Sequence, residues 1–247
     1  MSVCLSVVSH GSDELVASLL EKLNNAAELT RVIVTHNKAP AFVPDERSYS
    51  FQLHNIINER PLGYGKNNNN AYALCREPFF CVANPDIDID PDIFIKILGD
   101  GSREDMHVLA PQIENFNGIE ISKKKLPTPI GLLKKIFCQK DYQDEDAVSG
   151  WPCHFFWISG AFMLFSSKVY RALGGFDERF YLYLEDVDIC VRTHLLGYSI
   201  DISEHVFIKH VGQRASHRRL RYLYWHASSM LKFFWKYRLK ERSRICS

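Results

Sequence analysis

The sequence has no apolar run of the roughly 18 residues that a membrane-crossing helix needs. Its most apolar stretch, His154 to Phe165, is shorter and is interrupted by Ser159 and Gly160. None of the cysteines at 4, 75, 81, 138, 153, 190 and 246 forms a C-x-x-C pair. Most lie inside apolar runs, so reduced core thiols are expected rather than zinc ligands or disulfides. Met1-Ser2-Val3-Cys4 carries no basic residue and reads as the start of a strand, not as a secretion signal. There is no G-x-S-x-G elbow or other local sign of a nucleophile, which weighs against a covalent mechanism. No internal repeat is visible.

What is present is a globular composition. At 46% hydrophobic and 24% charged residues, the chain has too much apolar material to be disordered. Its 247 residues suffice for one α/β domain with a full core and a short extension. The formal net charge of +1 conceals a division. From Lys209 onward there are eleven Lys/Arg and one acid, Glu241, whereas residues 1–208 hold nineteen basic residues and twenty-eight acids. An acidic body with a basic tail points to one end meeting an anionic surface.

Periodicity predicts the element order. Val3–Val8 reads as a buried strand, and Ser12-Asp13-Glu14 opens a helix with Leu15, Val16, Leu19, Leu20 and Leu23 on its apolar face. Arg31–Val34 is the next strand, so the chain begins strand, helix, strand, as a parallel sheet with right-handed crossovers would. Strands are expected at Tyr49–Leu53, Phe79–Ala83, Met106–Ala110, from His154 through Phe165, at Tyr198–Ile202 and at Val206–His210. Helices are expected near 67–74, 92–98, 168–173, 185–196 and from Ser216 onward. Residues 111–150, with Lys123-Lys124-Lys125, Pro127, Pro129 and an acidic block, read mostly as a mobile loop.

Three segments could carry chemistry. Asn84-Pro85-Asp86-Ile87-Asp88-Ile89-Asp90-Pro91-Asp92 follows a buried strand, where an acid at the carboxyl end of a sheet can hold a hard cation. It is not an EF-hand, because Pro91 stands where Gly is required. It is equally consistent with an acidic loop leading into a helix. Gly63-Tyr64-Gly65-Lys66-Asn67-Asn68-Asn69-Asn70 lacks the Ser or Thr that follows a Walker lysine, and Asn68 fills the third position of G-x-G-x-x-G. Its backbone could cradle a diphosphate, or it could be a polar, Asn-capped loop. Gly174-Gly175-Phe176-Asp177 leads to Glu185-Asp186-Val187-Asp188 at a helix start, where a carboxylate stays ionised as a general base must, or serves only the helix dipole. Asp188 and Arg192, spaced i,i+4, form a structural pair. His210 ends a strand and is either an ordinary core or surface histidine or a metal ligand.

Taken together and in order, these pieces resemble the family-2 glycosyltransferases of the GT-A fold, and most closely the bacterial rhamnosyltransferases of O-antigen and cell-wall polysaccharide assembly. The matching residues are Val7-Val8-Ser9-His10, Leu62-Gly63-Tyr64-Gly65 with Asn68-Asn69, and Asn84-Pro85-Asp86. Trp157-Ile158-Ser159-Gly160-Ala161-Phe162-Met163, Gly175-Phe176-Asp177 to Glu185-Asp186-Val187-Asp188-Ile189, and His210 with Gly212 follow.

The resemblance implies a GT-A-like, Rossmann-like, mostly parallel sheet flanked by helices over residues 1–215, with residues 216–247 as an extension. It implies Asp86 and His210 as ligands of Mg²⁺ or Mn²⁺, Asp186 as the base, and Glu185 beside it in the acceptor site. Ser9, His10, Gly63, Gly65, Lys66, Asn69 and Asn84 would face the nucleotide-sugar donor. Trp157 and Gly160 would line its sugar and acceptor side. The implied reaction is inverting transfer of L-rhamnose from dTDP-rhamnose to a polyprenyl-diphosphate-linked saccharide. Other donors, such as a UDP-hexose or galactofuranose, a sugar nucleotidyltransferase, and a non-catalytic nucleotide-sugar module are the alternatives.

Two positions depart from the family pattern. Thr35 stands where an Asp commonly contacts the nucleoside, and Phe156 where many relatives have Asp before Trp157.

Within the extension, Leu220, Leu223, Tyr224, Ala227, Leu231 and Phe234 share a helical face, bordered by Arg218, Arg219, Arg221, Lys232 and Lys236. This is either an interfacial anchor on anionic lipid or a helix packed on the domain with a solvated basic face. With no nucleic-acid partner, the expected location is cytoplasmic, peripheral on the inner face of the cell membrane.

Overall fold

The computed structural model describes residues 1–99, 106–115, 118–120, 122–128, 151–152, 154–210 and 220–244. Strand β1 (Val3–Ser9) is almost wholly buried because it lies between two parallel partners, β2 (Leu29–His36) and β4 (Phe79–Ala83). A strand covered on both faces reads as a continuous apolar run, which is how its sequence reads. Outside β2 lies β3 (Gln52–Ile57), also parallel. On the other side β10 (Phe162–Ser166) runs antiparallel between β4 and β6 (Val108–Asn115). Then β11 (Ile200–His210) lies parallel to β6, and the two-residue β5 (Ile87–Asp88) closes the order β3-β2-β1-β4-β10-β6-β11-β5. β7 (Gly118–Glu120) hangs on β6, and β8 (Lys124–Lys125) pairs with β9 (Phe156–Trp157). The expected mostly parallel sheet flanked by helices is therefore present.

Helices α1 (Asp13–Leu23) and α3 (Ile93–Gly99) cover one face of the sheet. α2 (Tyr64–Tyr72), α4 (Ser167–Leu173) and α5 (Glu185–Leu195) cover the other. In α1 the residues Val16, Leu19, Leu20 and Leu23 point inward, as their spacing requires; Ser12 occupies the N-cap without making a side-chain cap bond. α6 (Leu220–Arg244) adds a third apolar cluster, in which Phe233 and Tyr237 pack with Phe180, Leu184, Val187 and Val191.

Five expectations are corrected. The strand expected from His154 through Phe165 is two, β9 and β10, in different sheets, because the turn at Ser159-Gly160 breaks it. The unperiodic segment after residue 110 supplies the end of β6 and all of β7 and β8, because edge pairing needs little apolar periodicity; residues 129–150 lie outside the described residues. β3 starts at Gln52 rather than Tyr49. Two expected strands at 198–210 are one, with a register irregularity between Ile202 and Phe207. α2 begins at Tyr64, so the supposed glycine-rich loop is its first turn. Cys4, Cys75, Cys81 and Cys190 are buried free thiols, as expected; Cys138, Cys153 and Cys246 lie outside the described residues.

Candidate active site

The parallel strands β1 to β4 all end at one edge of the sheet, where open α/β folds bind ligands. Ser9-His10, His36-Asn37, Asn58 and Asn84 follow those strand ends. Antiparallel β10 starts at the same edge, just after Gly160. This inverted strand ties the site together. The Ala161 carbonyl accepts from the Asn84 amide at 2.9 Å. One residue earlier, the Gly160 amide donates to the Asp186 carboxylate at 3.1 Å. The Asn84-Pro85-Asp86 segment and the first turn of α5 are thus held on consecutive residues of one turn.

Asp186 is pinned from two sides. Its other oxygen accepts from the Val187 amide at 2.9 Å, one of the helix-start donors that have no partner within the helix. Burial raises its pKa, while the Gly160 and Val187 amides and the charge of Lys124 pull against that rise. Glu185 has no such support. It is 6% exposed, and its Oε2 is buried without a hydrogen-bond partner among the described residues. Burial and then the neighbouring Asp186 charge push its pKa up to about 8. Of the two carboxyls, the amide-supported Asp186 is the better place for a negative charge. Gly160 permits the approach: a Cβ there would lie 3.3 Å from the Asp186 Cβ. The Tyr64 hydroxyl donates to the Gly160 carbonyl at 2.9 Å, a contact with no sequence signal.

The expected donor-side residues have the following surroundings. The Ser9 hydroxyl donates to Asp13 at 3.3 Å and accepts from the Ser12 amide. His10 is exposed, with its Nδ1 at 3.3 Å from Asn37 Nδ2. Partial burial, then Lys38 and Arg221, lower its pKa. Asn37 holds both the amide and the carbonyl of Leu62, and Asn58 bridges Asn37 to Asn67. This asparagine cluster fixes the chain between β3 and α2. Thr35 is fully buried, and its hydroxyl has no partner among the described residues.

Gly63, Gly65, Lys66 and Asn69 are occupied with the chain itself. A Cβ at Gly63 would meet the Tyr181 carbonyl at 2.8 Å, and one at Gly65 would meet the Phe176 Cβ at 2.7 Å. Lys66 pairs with Glu178 at 3.0 Å. Asn69 accepts from the Phe176 amide and the Tyr170 hydroxyl and donates to the Phe176 carbonyl. These residues clamp the 175–181 turn against α2; the sequence reading missed this because the partners lie over a hundred residues away.

Asp86, half-buried, lies three residues past the end of β4. His210 is the last residue of β11, and its backbone pairs with Ile87, the residue that follows Asp86. The His210 side chain lies outside the described residues. A carboxylate oxygen and an imidazole nitrogen suit Mn²⁺ or Mg²⁺. Among the described residues, one group of three metal-capable side chains is found, Cys4, Cys75 and Glu77, at the opposite end of the sheet. Its Glu77 is engaged by Arg31 at 3.0 Å.

Trp157 donates through Nε1 to the Lys125 carbonyl at 2.9 Å, and Lys124 Nζ lies 4.8 Å from its ring centroid. This brings the basic block, read as loop from sequence, to the site.

The turn before α5 is strained. Tyr183 and Leu184 both have positive φ, 71° and 65°, a region that non-glycine residues occupy at a cost of roughly 1–3 kcal/mol each. No sequence signal marks it. Beyond the pair, fully buried Asp188 accepts from Arg192 at 2.8 Å, Tyr237 at 2.7 Å and Lys236.

No protein-family model matches the chain. It is 27% identical over 225 residues to the rhamnosyltransferase WbbL of Escherichia coli, covering 79% of this chain and 78% of that protein. It is 26% identical over 164 residues to the N-acetylglucosaminyl-diphospho-decaprenol L-rhamnosyltransferase of Mycobacterium tuberculosis, covering 56% of this chain and 52% of that one. Among solved structures it matches the mannosyltransferase PcManGT of Pyrobaculum calidifontis, in complex with GDP-Man and Mn²⁺, with a TM-score of 0.57 at 15% identity, over 93% of this chain and 64% of that one. The chain thus spans only about half to two thirds of the last two. Fold and sequence point the same way: the chain has the GT-A fold of solved glycosyltransferases and is similar in sequence to rhamnosyltransferases.

Proposed function

We propose that the chain transfers L-rhamnose from dTDP-rhamnose to a polyprenyl-diphosphate-linked saccharide with inversion at the anomeric carbon, in bacterial surface-polysaccharide assembly. The observation that carries this reading is the Gly160–Ala161 turn, which holds Asp186 by one residue and Asn84, two residues before Asp86, by the next. A base and a diphosphate-binding acid are thereby fixed on one support.

Asp186 takes the proton of the acceptor hydroxyl as that oxygen attacks the anomeric carbon, and the nucleoside diphosphate leaves from the opposite face. Glu185, holding its own proton near neutrality, keeps the negative charge on Asp186 and lies beside the acceptor. Asp86 and His210 would hold a divalent cation, which when bound supplies charge neutralisation for the diphosphate. His10 and the Asn37–Asn58 cluster stand at the strand ends where the nucleoside would sit, with Ser9 and Asn84. The clamping roles of Gly63, Gly65, Lys66 and Asn69 make them supports of that donor site. Trp157 and Gly160 border the sugar.

Sequence similarity to an enzyme named for a diphospho-decaprenol substrate supports the lipid-linked acceptor. Among the described residues, no helix is long and apolar enough to cross a membrane. The outer face of α6, with Tyr224, Leu231 and Trp235 at 70%, 71% and 67% exposure, would instead lie on the anionic inner face of the cell membrane. Most of the apolar face expected from sequence is thus turned outward, with Ala227 also exposed and Phe234 partly buried, and the packed side is a different one. Leu223, Tyr224 and Leu231 are exposed, whereas Phe233 and Tyr237 form the packed side.

Calorimetric titration of dTDP, UDP and GDP, with and without Mn²⁺, into wild type and Asp86→Ala tests the reading. Metal-dependent binding of dTDP, lost in the variant, is the expected result. Tighter binding of UDP or GDP would reassign the donor. Binding of none by folded protein would remove the transferase reading.

A further inference from the structure

We propose that α6 is a positioning element of the active site: it holds the left-handed Tyr183–Leu184 turn from which Glu185 and Asp186 project. The inference rests on the reading of Asp186 as the base, and goes beyond α6 as a membrane anchor.

The contacts follow one another along the helix. Trp225 packs on Tyr181 with ring centroids 4.8 Å apart, and His226 on Tyr183 at 5.0 Å. The Ser229 hydroxyl donates to the Leu182 carbonyl at 2.9 Å, and Lys232 Nζ to the Arg179 carbonyl at 2.8 Å. Phe233 and Tyr237 share an apolar cluster with Leu184 and Val187. Lys236 then reaches Asp177 at 2.7 Å and also Asp188, two residues past Asp186. α6 therefore grips the chain before and after the catalytic pair.

The need for this grip lies in the backbone. Two consecutive non-glycine residues with positive φ relax unless their surroundings over-determine them. Leu184 stands at the N-cap of α5 and has no side-chain capping bond to hold it. The Leu182 carbonyl, by contrast, meets a hydroxyl on a residue that is 1% exposed. A helix serving only to cover apolar surface needs Phe233 and Tyr237; it does not need Ser229 aimed at the turn. If the turn relaxes, the first residues of α5 rotate and Asp186 leaves the Gly160 amide.

The test compares wild type, Ser229→Ala, and Ser229→Ala combined with Tyr183→Asn, since asparagine takes positive φ more readily than tyrosine. Two readouts are taken: steady-state kinetics, and hydrogen exchange of the Val187 amide. That amide donates to Asp186 and has no acceptor within the helix, so its exchange reports the position of the base directly. Ser229→Ala is expected to lower kcat about tenfold, with donor KM unchanged and Val187 exchange faster; Tyr183→Asn is expected to restore both. Unchanged exchange in Ser229→Ala overturns the positioning role and leaves the base reading intact. Faster exchange, restored by Tyr183→Asn, at constant kcat overturns the base reading and the proposal with it.

Discussion

Gly160 and Asp186, 26 residues apart in sequence, meet in a 3.1 Å hydrogen bond from amide to carboxylate. The bond exists because β10 runs against its neighbours, so that its start rather than its end lies at the ligand-binding edge of the sheet. It also needs the absence of a side chain at 160, where an added Cβ would stand 3.3 Å from the Asp186 Cβ.

Gly160→Ala consequently pushes on the proposed base. The neighbour must yield by a few tenths of an ångström, and Asp186 is the neighbour. A fall in kcat of about tenfold is expected, with the unfolding midpoint in urea nearly unchanged. Full activity in Gly160→Ala would mean that the position of Asp186 does not limit turnover.

Glu185 makes stability depend on pH. Its folded pKa, about 8, lies above the ordinary carboxyl value, so the native state holds a proton that the unfolded chain releases. The sign follows from linkage: the native state is favoured below the unfolded pKa, near 4.3, and loses stability as pH rises from there towards 8. Asp186 is shifted in the same direction. Glu185→Gln removes the group that must lose its proton. The variant should unfold at a higher temperature than wild type at pH 8, by a few kcal/mol in stability, with the gap closing at pH 5. Thermal melts at the two pH values check this. A constant gap would mean that Glu185 is not protonated in the native state.

The sequence pattern makes some of this visible and hides the rest for a physical reason. β4 falls at Phe79–Ala83 as expected, because a strand buried on both sides needs an unbroken apolar run. The Asp188–Arg192 pair is legible because i,i+4 is a local relation. The start of α2 is not. Gly63, Gly65 and four asparagines are poor helix formers, and the helix forms there because Phe176, Tyr181 and the turn clamped by Asn69 pack against it. The proposed catalytic pair is legible as acids at a helix start, yet the contacts that α6 makes with the positive-φ turn before it are long-range relations. Lys236 lies 48 residues from Asp188, and no local pattern in either segment announces the other.

That distant pair governs stability. Asp188 is fully buried and satisfied by Arg192, Lys236 and Tyr237. Asp188→Ala leaves Arg192 short of its charge partner and deprives Lys236 of one of its two. The expected destabilisation is about 3–5 kcal/mol, read as a shift in urea midpoint. Lys236→Met should cost less, because Asp188 keeps two donors and Asp177 keeps Arg179 at 2.5 Å. Equal losses in the two variants would show that Lys236 supplies most of the compensation.

The outer face of α6 can be altered without touching its inner one. Tyr224, Leu231 and Trp235 are each about two thirds exposed or more, and Arg221 and Lys232 lie beside them on the helix surface. Apolar insertion and attraction to anionic headgroups both contribute to binding at a bilayer surface, and only the second is screened by salt. Wild type should therefore sediment with vesicles containing phosphatidylglycerol, and less with pure phosphatidylcholine or at high salt. Leu231→Asp with Trp235→Asp should weaken binding at least about tenfold, since each removes an exposed apolar side chain available for insertion and adds a repelled charge. Activity on a short water-soluble acceptor should not change, because Ser229, Phe233 and Tyr237 keep their contacts with the domain. Undiminished vesicle binding in the double variant would place the membrane contact elsewhere on the molecule. Lost activity on the soluble acceptor would show instead that this face serves the catalytic turn.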